Sequence, residues 1–480
     1  MKKIVEREIQ VANSTKRVII EFDSPVLNGA RFLEHSFDRA TRKSSKRVVA
    51  ASGSLLYLSE DLGDSWRCLP IDGIKTIQNA FTLQNGDILV SGFDERDASN
   101  NRLSLIRGSS TISSEIVGKS GWHATFSIDQ SDDCIMFSEY PTNPKGSKEH
   151  DDETDARVFR SMDGGITWEV VFSVGFPDIR HFHTCTFFPD SNSWVITSGD
   201  TPEQSRFWNS FDNGESWSEV TDSNPDSSGE VENPQSMHRT VVMHEHEGKY
   251  IWATDDILGR LSGYDRGYEC IEWLPIPGAN QYRVLIRNYT TNQLVSKNII
   301  EPEQGCSFIF DWEGVEIDHD LRFRVQYRDR ESSGWRDSSE YSTISRDFRW
   351  SKTRLLMNEG RMKTRSKLVS SEKVGGISME EICDLGMHIR SMIDVGFGYV
   401  LFSEAKYVDI APNPQVFLIL KEEIDNPHLL MNIPNERKQV TGVTYSRSSI
   451  KDHNGVFFTQ IEKGLIFENT EIVRWKITIE

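Results

Sequence analysis

The stretch SEDLGDSW at residues 59–66 recurs twice, as SMDGGITW at 161–168 and as SFDNGESW at 210–217. All three copies keep Ser, Asp, Gly and Trp at the same offsets, with Ser or Thr directly before the Trp. Asp and Gly favour tight turns, because Asp bonds the nearby backbone and Gly tolerates a positive φ. The Trp offers a large apolar face for packing. The stretch therefore predicts a tight turn that joins two strands and anchors them through its Trp.

The copies also define a repeat. The first two start 102 residues apart and the second and third 49 apart, which fits a period of about 50 residues with one copy lacking the turn. Alternating apolar runs predict four short strands around each of the last two copies, at 122–128, 134–139, 156–161 and 168–174, and at 182–188, 194–199, 206–210 and 217–222. Units of four strands at this spacing are typical of β-propeller blades.

The repeated turn resembles the Asp-box, or BNR repeat, of the sialidase-like propellers. The resemblance implies an all-β fold with one turn per blade, on the side away from any active centre. Counting inner strand pairs predicts a seven-bladed β-propeller, with six or eight blades left open, and a ring closed by the N-terminal strand RVIIEF at 17–22. The predicted blades start near Phe32, Ile77, Trp122, His181, Met237, Met387 and Val440.

One segment breaks the period after the predicted strand GRLSGYDRG. It contains WLPIPGANQYRV, a later RFRVQY strand and a GW pair, and it looks like a fibronectin type III domain. The predicted domains are the first part of the propeller at 1–263, an inserted β-sandwich at 264–346, and the rest of the propeller at 347–480. We expect the insertion to serve as a spacer or as a docking module for a protein partner.

Composition excludes several classes of function. A formal charge of −19 argues against a nucleic-acid partner, because phosphate contacts need clustered Lys and Arg. The N-terminus lacks the apolar run of a signal peptide, and no later run is long enough to span a membrane. The six cysteines show no zinc-ligand spacing. We therefore expect a soluble, cytoplasmic protein with no membrane partner.

Histidines and acids form a second repeat. A histidine precedes an acid by 16 residues in His123–Glu139 and His388–Glu404, and by 17 in His183–Asp200 and His238–Asp255. His35 has the same predicted place in the first blade, with Ala51 at the acid position. In an up-and-down blade both positions lie at the end opposite the repeated turns. These pairs either hold the channel together through the backbone or line a site at its mouth.

Other polar groups fall at the same predicted mouth. Arg180, Arg206, Arg239 and Arg390 are candidates for binding an acidic substrate, together with Tyr140, Asp255 and His388. A glycan lyase would move protons through histidines such as His123, His183 or His238 and neutralise a uronate with arginine. A hydrolase would use two of Glu139, Asp200, Asp255 and Glu404. Sialidase itself fits poorly, because the chain has no Arg-Ile-Pro motif.

No cofactor is required by either chemistry. A divalent metal is an alternative, with His123, His183, His238 and His388 as the ligands if there is one. The predicted function is therefore a propeller that acts on or binds an acidic poly- or oligosaccharide, as a lyase or a glycosidase. The alternative is a non-catalytic propeller scaffold that binds a glycan or a protein.

Overall fold

The chain is built almost wholly from β-strands. The computed structural model describes residues 3–12, 14–38, 43–118, 120–122, 125–140, 155–175, 178–179, 181–199, 204–221, 240–254, 257–258, 268–272, 279–288, 293–300, 307–311, 321–329, 334–337, 364–365, 367–372, 379–385, 389–403, 415–433, 438–443, 455–463 and 470–480. Its internal contacts divide it into two compact units, 1–257 with 365–405 and 412–480, and 258–364 with 406–411. No helix within these ranges is long and apolar enough to cross a membrane.

The strands are numbered in chain order. They are β1 (Lys3–Val11), β2 (Ser14–Phe22), β3 (Leu27–Asn28), β4 (Arg31–Asp38), β5 (Lys43–Ser52), β6 (Leu55–Ser59), β7 (Arg67–Pro70), β8 (Ile74–Thr82), β9 (Ile88–Asp94), β10 (Asn101–Arg107), β11 (Ser110–Ile116), β12 (Ile128–Ser131), β13 (Cys134–Ser138), β14 (Ala156–Ser161), β15 (Glu169–Val174), β16 (Phe182–Phe188), β17 (Ser193–Ser198), β18 (Phe207–Ser210), β19 (Ser218–Glu219), β20 (Thr240–His246), β21 (Lys249–Thr254), β22 (Ile257–Leu258), β23 (Tyr268–Glu272), β24 (Gln281–Asn288), β25 (Gln293–Ile300), β26 (Ser307–Asp311), β27 (Leu321–Arg328), β28 (Arg336–Asp337), β29 (Thr364–Arg365), β30 (Lys367–Glu372), β31 (Met379–Asp384), β32 (Ile389–Asp394), β33 (Gly398–Ser403), β34 (Gln415–Leu420), β35 (Glu423–Asn432), β36 (Lys438–Val443), β37 (Val456–Lys463) and β38 (Thr470–Ile479). A single 3-10 turn is described, at Thr125–Ser127.

The strands of the first unit form antiparallel sheets that we number 1 to 7 along the chain. Sheets 1 to 4 are β4–β7, β8–β11, β12–β15 and β16–β19, each in sequence order. Sheet 5 is β20-β21-β30-β31, and sheet 6 is β32–β35. Sheet 7 runs β36-β37-β38-β2-β1, with β3 also paired to β38. The predicted pairing of the N-terminal strand with the last sheet is confirmed, because Val18 of β2 lies opposite Ile479 of β38.

Each of these sheets is covered on both faces by its neighbours. Separate apolar clusters lie between consecutive sheets from 1 to 7, and a further cluster joins sheet 7 to sheet 1. Within sheet 3, for example, Phe137 packs toward sheet 2 and Met136 toward sheet 4. The first strands of sheets 1 and 2, 3 and 4, 4 and 5, 5 and 6, and 7 and 1 contact each other. Four-stranded meanders packed face to face in this cyclic order have the topology of a β-propeller.

The repeated eight-residue stretch forms the same turn in sheets 1, 3 and 4, between the third and fourth strands as predicted. In the second copy the Ser161 hydroxyl donates to Asp163 Oδ1 at 2.8 Å and accepts the Gly165 N–H at 2.9 Å. Asp163 also accepts the backbone N–H of Thr167 at 2.9 Å. Gly165 has a φ of 87°, which favours glycine.

The other two copies repeat these bonds. Side-chain hydrogen bonds from Ser65 and Ser216 lower the pKa of Asp61 and Asp212, respectively, to about 2. Trp66, Trp168 and Trp217 each pack against the apolar cluster between their own sheet and the preceding one. The turn is therefore a structural device that fastens the outer hairpin of a sheet to its neighbour.

Two predicted strands were wrong. The innermost strand of sheet 3 begins at Ile128, because residues 125–127 form the 3-10 turn instead of continuing the predicted strand 122–128. The third strand of sheet 5 is β30, whereas GRLSGYDRG at 259–267 lies outside the described residues. The third strand of sheet 5 is covered by a neighbouring sheet on each face, so it needs apolar side chains on both. In β30, Val369 packs toward sheet 4 and Leu368 toward sheet 6.

The second unit contains a four-stranded sheet with the order β25-β24-β27-β28 and a two-stranded sheet of β23 and β26. Tyr282, Val284 and Ile286 of β24 are buried, which follows from strict alternation. Trp335 lies between the guanidinium groups of Arg283 and Arg328, at 4.4 and 4.9 Å from its ring centre. The predicted insertion 264–346 falls within this unit, and its boundaries and fibronectin-like fold stay predictions.

The turn bonds generate a stability prediction. Ser161→Ala removes the hydroxyl that satisfies the buried Gly165 N–H, so we expect a loss of about 1–3 kcal/mol in the free energy of unfolding. Met162→Ala, at the exposed neighbouring position, should change it by less than about 0.5 kcal/mol. Chemical denaturation of both variants measures the difference. Equal midpoints for the two would contradict a structural role for the turn.

Buried histidines generate a prediction of pH dependence. Burial lowers the pKa of His35 and of His244 to about 4, and each Nε2 donates to a backbone carbonyl. The unfolded chain, with a histidine pKa of about 6.5, therefore binds more protons than the folded chain between pH 6.5 and 4. Stability should fall with falling pH in this window by about 1.4 kcal/mol per pH unit and histidine.

Denaturation midpoints measured from pH 7 to 4.5 check this slope. His35→Gln and His244→Gln keep a donor near Nε2 and remove the titration, so each variant should flatten the profile. A profile as steep as that of the parent protein would show that neither ring controls it.

Candidate functional site

The candidate site lies where the first strand of each sheet begins and the second ends, which we call the mouth end. The pairing register of the strands shows which residues lie at this end. Phe182 at the start of β16 lies opposite Ser198 at the end of β17, and Arg31 at the start of β4 lies opposite Ala51. The repeated turns lie at the other end of the same sheets, beyond Ser59 of β6. The repeated turns therefore lie at the end of these sheets opposite the mouth end, as predicted.

Glu139, directly after β13, is held by an arginine that the sequence analysis did not select. Arg157 of β14 donates to both carboxylate oxygens of Glu139, with Nε–Oε2 at 2.8 Å and Nη2–Oε1 at 3.0 Å. The hydrogen bond with Glu139 raises the pKa of Arg157. The Glu139 side chain is 1% exposed and that of Arg157 is 33% exposed. The pair buries the carboxylate and leaves part of the guanidinium accessible.

This arrangement restricts the chemistry of Glu139. Both carboxylate oxygens of Glu139 accept hydrogen bonds from Arg157, in the bidentate geometry of a strong ion pair. The backbone N–H of Ser120 adds a long contact of 3.4 Å to Oε1. These bonds, with the 1% exposure of the side chain, suit a group that positions Arg157.

Aromatic rings continue the site from sheet 3 to sheet 4. The half-buried Tyr140 ring stacks on His181 with centroids 3.9 Å apart. His181 in turn lies 5.2 Å from the ring of His183. The two imidazoles are buried, at 1% and 5% exposure, so Tyr140 is the accessible end of the row. His181 had been treated only as the start of a strand.

His183 bonds the neighbouring sheet. Its Nδ1 lies 3.0 Å from the carbonyl oxygen of Thr240 in sheet 5. Because a carbonyl only accepts, Nδ1 carries the proton, and in the neutral ring Nε2 is the basic nitrogen. One interpretation of the histidine repeat was that these residues bond the backbone and hold the channel together. The Nδ1 bond of His183 to sheet 5 agrees with that interpretation.

A recurring β-bulge explains how these side chains are placed. In the described part of the chain, the first strands of six sheets shift register near the mouth end, between Phe32 and Glu34, Ile77 and Asn79, Phe182 and Thr184, Thr240 and Met243, Ile389 and Ser391, and Val440 and Gly442. A bulge re-aims a side chain and frees backbone groups from the ladder. His183 and Arg390 are the extra residues in sheets 4 and 6.

Side chains of one sheet bond backbone carbonyls of the next. The bonds run from sheet 1 to 2, 2 to 3, 3 to 4 and 4 to 5, and they are Arg31 Nη2 to Ile77 O, Asn79 Nδ2 to Trp122 O, Ser127 Oγ to His183 O, and His183 Nδ1 to Thr240 O. Three of these carbonyls lie beside a bulge, whereas Trp122 precedes the 3-10 turn of sheet 3. Hydrogen bonds thus join sheets 1 to 5 at the mouth end, because a buried carbonyl requires a partner.

The register corrects one predicted position. His35 does not lie at the mouth, because it pairs with Val48 and the mouth position opposite Ala51 belongs to Arg31. The His35 ring is 4% exposed, donates from Nε2 to Ser45 O at 2.9 Å and packs edge-on against Phe458. It is a core histidine.

Arg206 lies at the mouth end just before β18. Its Nη1 is 3.8 Å from Glu219 Oε2 on the fourth strand, and the two side chains are 31% and 43% exposed. Arg390 lies in β32, where only its backbone is described. The other predicted site residues lie outside the described residues, namely His123, Arg180, Asp200, His238, Arg239, Asp255, His388 and Glu404.

Metal binding finds no support in the part of the chain that the structure describes. Within it, no group of three His, Cys, Asp or Glu side chains is placed to hold an ion. Of the four histidines proposed as ligands, His183 is described, and its Nδ1 is already bonded to Thr240 O. A metal among the remaining three stays a prediction.

Comparison with known proteins gives no family. No protein-family model and no curated protein matches the chain. Among solved structures it is similar to YCF48 bound to D1 peptide, with 8% identity over 98% of both chains and a TM-score of 0.32. It is also similar to the WD40 β-propeller domain of Doa1, with 8% identity over 94% of both chains and a TM-score of 0.38. A prolyl endopeptidase shares 9% identity over 93% of this chain and 46% of its own, with a TM-score of 0.38.

The Glu139–Arg157 pair generates a third prediction. Arg157→Gln leaves a buried carboxylate without its counter-charge, so the free energy of unfolding should fall by about 3–5 kcal/mol. Adding Glu139→Gln removes the uncompensated charge and should recover most of this loss. A double-mutant cycle by chemical denaturation measures the coupling.

Arg206→Gln is the matched control. Its exposed pair with Glu219 should contribute less than about 1 kcal/mol. An Arg157→Gln variant as stable as Arg206→Gln would contradict the buried ion pair.

Proposed function

We propose that this chain is a seven-bladed β-propeller that binds an acidic ligand at its mouth end, without turnover by Glu139. The seven sheets would be the blades, closed by β2 and β38. The Glu139–Arg157 pair beside Tyr140 carries the proposal. It supplies a buried acid that fixes an arginine, a partly accessible cation and a half-buried aromatic ring, all within sheet 3.

The charge of the ligand follows from the accessible groups at this end. Arg31 is exposed, and the Arg157 and Arg206 side chains are 33% and 31% exposed. The net charge of −19 means that the protein as a whole repels anions. Arginines at the mouth end create a local positive region, and this region favours binding of an acidic group there. An acidic oligosaccharide fits, because a tyrosine ring packs against an apolar sugar face while arginine binds a carboxylate.

The remaining domain and location follow as parts of this proposal. The second unit would be a fibronectin-like β-sandwich that provides a separate docking surface for a protein partner. The charge supports a partner other than nucleic acid. A cytoplasmic location remains the prediction from the sequence.

A second candidate function is catalysis on the same class of ligand. His183 favours it, because Nδ1 donates to Thr240 O and the His183 ring lies 5.2 Å from His181, which packs against Tyr140. Imidazole and phenol are the groups that a lyase would use to remove and return protons. The binding function is favoured because the described carboxylate, Glu139, is committed to an ion pair.

The experiment that tests the proposal is a titration with acidic and neutral oligosaccharides of equal length and with acidic peptides. Tyr140→Ala should weaken binding of the acidic oligosaccharide several-fold, since a stacked ring contributes about 0.5–1.5 kcal/mol. Phe211→Ala is the matched control, because this ring is 51% exposed in a turn at the opposite end.

Mass spectrometry of the same mixtures separates the two candidates. Intact ligand with weakened binding in Tyr140→Ala supports a binding protein. Products lighter than hydrolysis products by one water, abolished by His183→Ala, would establish a lyase instead. Equal affinity for neutral and acidic ligands would contradict both.

A further inference from the structure

Arg31 differs from the other arginines described at the mouth end. Arg102, Arg157 and Arg206 each have a carboxylate partner, Asp94 at 2.6 Å, Glu139 at 2.8 Å and Glu219 at 3.8 Å. Arg31 bonds only backbone carbonyls in the described part of the chain, with Nη2 donating to Ile77 O at 2.8 Å and to Gln78 O. Its positive charge is therefore not balanced by a described acid.

The two hydrogen bonds to sheet 2 hold the Arg31 guanidinium in place through Nη2, and other N–H groups of the guanidinium remain as donors. A guanidinium has five N–H groups in one plane, and Nη2 supplies two of them. The N–H groups of Nε and Nη1 have no partner among the described residues. Because the carbonyls belong to the bulge of β8, the fork is held in place before any ligand arrives.

Gln78 adds a neutral donor beside this cation. The Ser91 hydroxyl lies 2.9 Å from Asn101 Oδ1, and Asn101 Nδ2 donates to Gln78 Oε1 at 3.1 Å. In this arrangement the oxygen of the Gln78 amide accepts from Asn101, and its Nε2 is the donor that remains. Nε2 has no partner within the described residues, and the Gln78 side chain is half-buried.

We infer that Arg31 and Gln78 form a binding site for an oxyanion, the carboxylate or phosphate group of a ligand. The site offers N–H donors from a fixed arginine fork and from an adjacent amide, and its described side chains contribute no acidic oxygen. Such a set of donors matches the paired oxygens of these groups. This site would bind the acidic group of the ligand in the proposed function. The inference rests on that proposed function for the larger ligand that carries the anion.

The surroundings of Arg31 agree with this geometry. Solvent reaches the side chain, yet burial among protein atoms lowers its pKa to about 10. The group stays charged at neutral pH, and a bound anion would offset the cost of desolvating it. The other mouth arginines obtain that compensation from their own carboxylates.

The test uses the full chain with inorganic phosphate and with acetate, each compared with chloride at the same ionic strength. One or both oxyanions should raise the thermal midpoint to a plateau, and calorimetric titration gives the dissociation constant. Arg31→Gln should weaken it by about tenfold or more, because a charge-assisted hydrogen bond is lost. Gln78→Glu, which replaces the donor by a negative charge, should weaken it at least as much.

Arg107→Gln is the matched control, since it removes one positive charge at the opposite end of sheet 2, and its anion affinity should equal that of the parent protein. Preference for phosphate or for acetate identifies the group that the ligand carries. No saturable effect beyond chloride, or an unchanged affinity in both Arg31→Gln and Gln78→Glu, would overturn the inference. Small anions test the Arg31–Gln78 site without the oligosaccharide. The anion site can therefore fail while the proposed oligosaccharide binding stands, and the oligosaccharide binding can fail while the anion site stands.

Discussion

The structure depends on the burial of both faces of every sheet in the first unit. A sheet whose two faces are apolar cannot be stable alone, so each one needs two neighbours, and the series is complete when the last sheet meets the first. Val18 and Ile20 of β2 pack in the cluster shared by sheets 6 and 7. The N-terminal strand therefore contributes to the core at the place where the chain ends, and the two termini stabilise each other.

This packing also creates the mouth end. First strands of neighbouring sheets converge, and a bulge in six of them, within the described residues, frees backbone groups from the ladder. Side chains of the preceding sheet bond the nearby carbonyls, and the same side chains become candidates for ligand binding. His183 and Arg31 each donate a hydrogen bond to a carbonyl of a neighbouring strand, and each is also a proposed ligand contact. The polar residues at this end therefore have a structural role whatever they bind.

The site itself was only partly predictable. Tyr140, Glu139 and His183 were selected from their spacing, and the structure places them at the mouth end of sheets 3 and 4. Arg157 was missed because the histidine–acid repeat runs over the first two strands of a blade, whereas Arg157 lies in the third. Its signal was present, since a charged residue in a strand that packs between two sheets, ARVFRS, requires a partner. His35 was misplaced because the first hairpin of sheet 1 is longer than that of sheet 4: Arg31 pairs with Ala51, 20 residues on, whereas Phe182 pairs with Ser198, 16 residues on.

The sequence by itself determined the repeated turn, the four-stranded sheets and the strand that pairs the two termini. These features follow from short-range chemistry: Ser and Asp bond their own turn, Gly adopts a positive φ, and apolar alternation sets the faces of a strand. Tertiary structure alone decided which carboxylate meets which arginine and which arginine is left without one. Arg31 and Gln78 are 47 residues apart, and Glu139 and Arg157 are 18 apart. Such partners are set by register, bulges and the packing of one sheet on the next, which no local pattern of residues specifies.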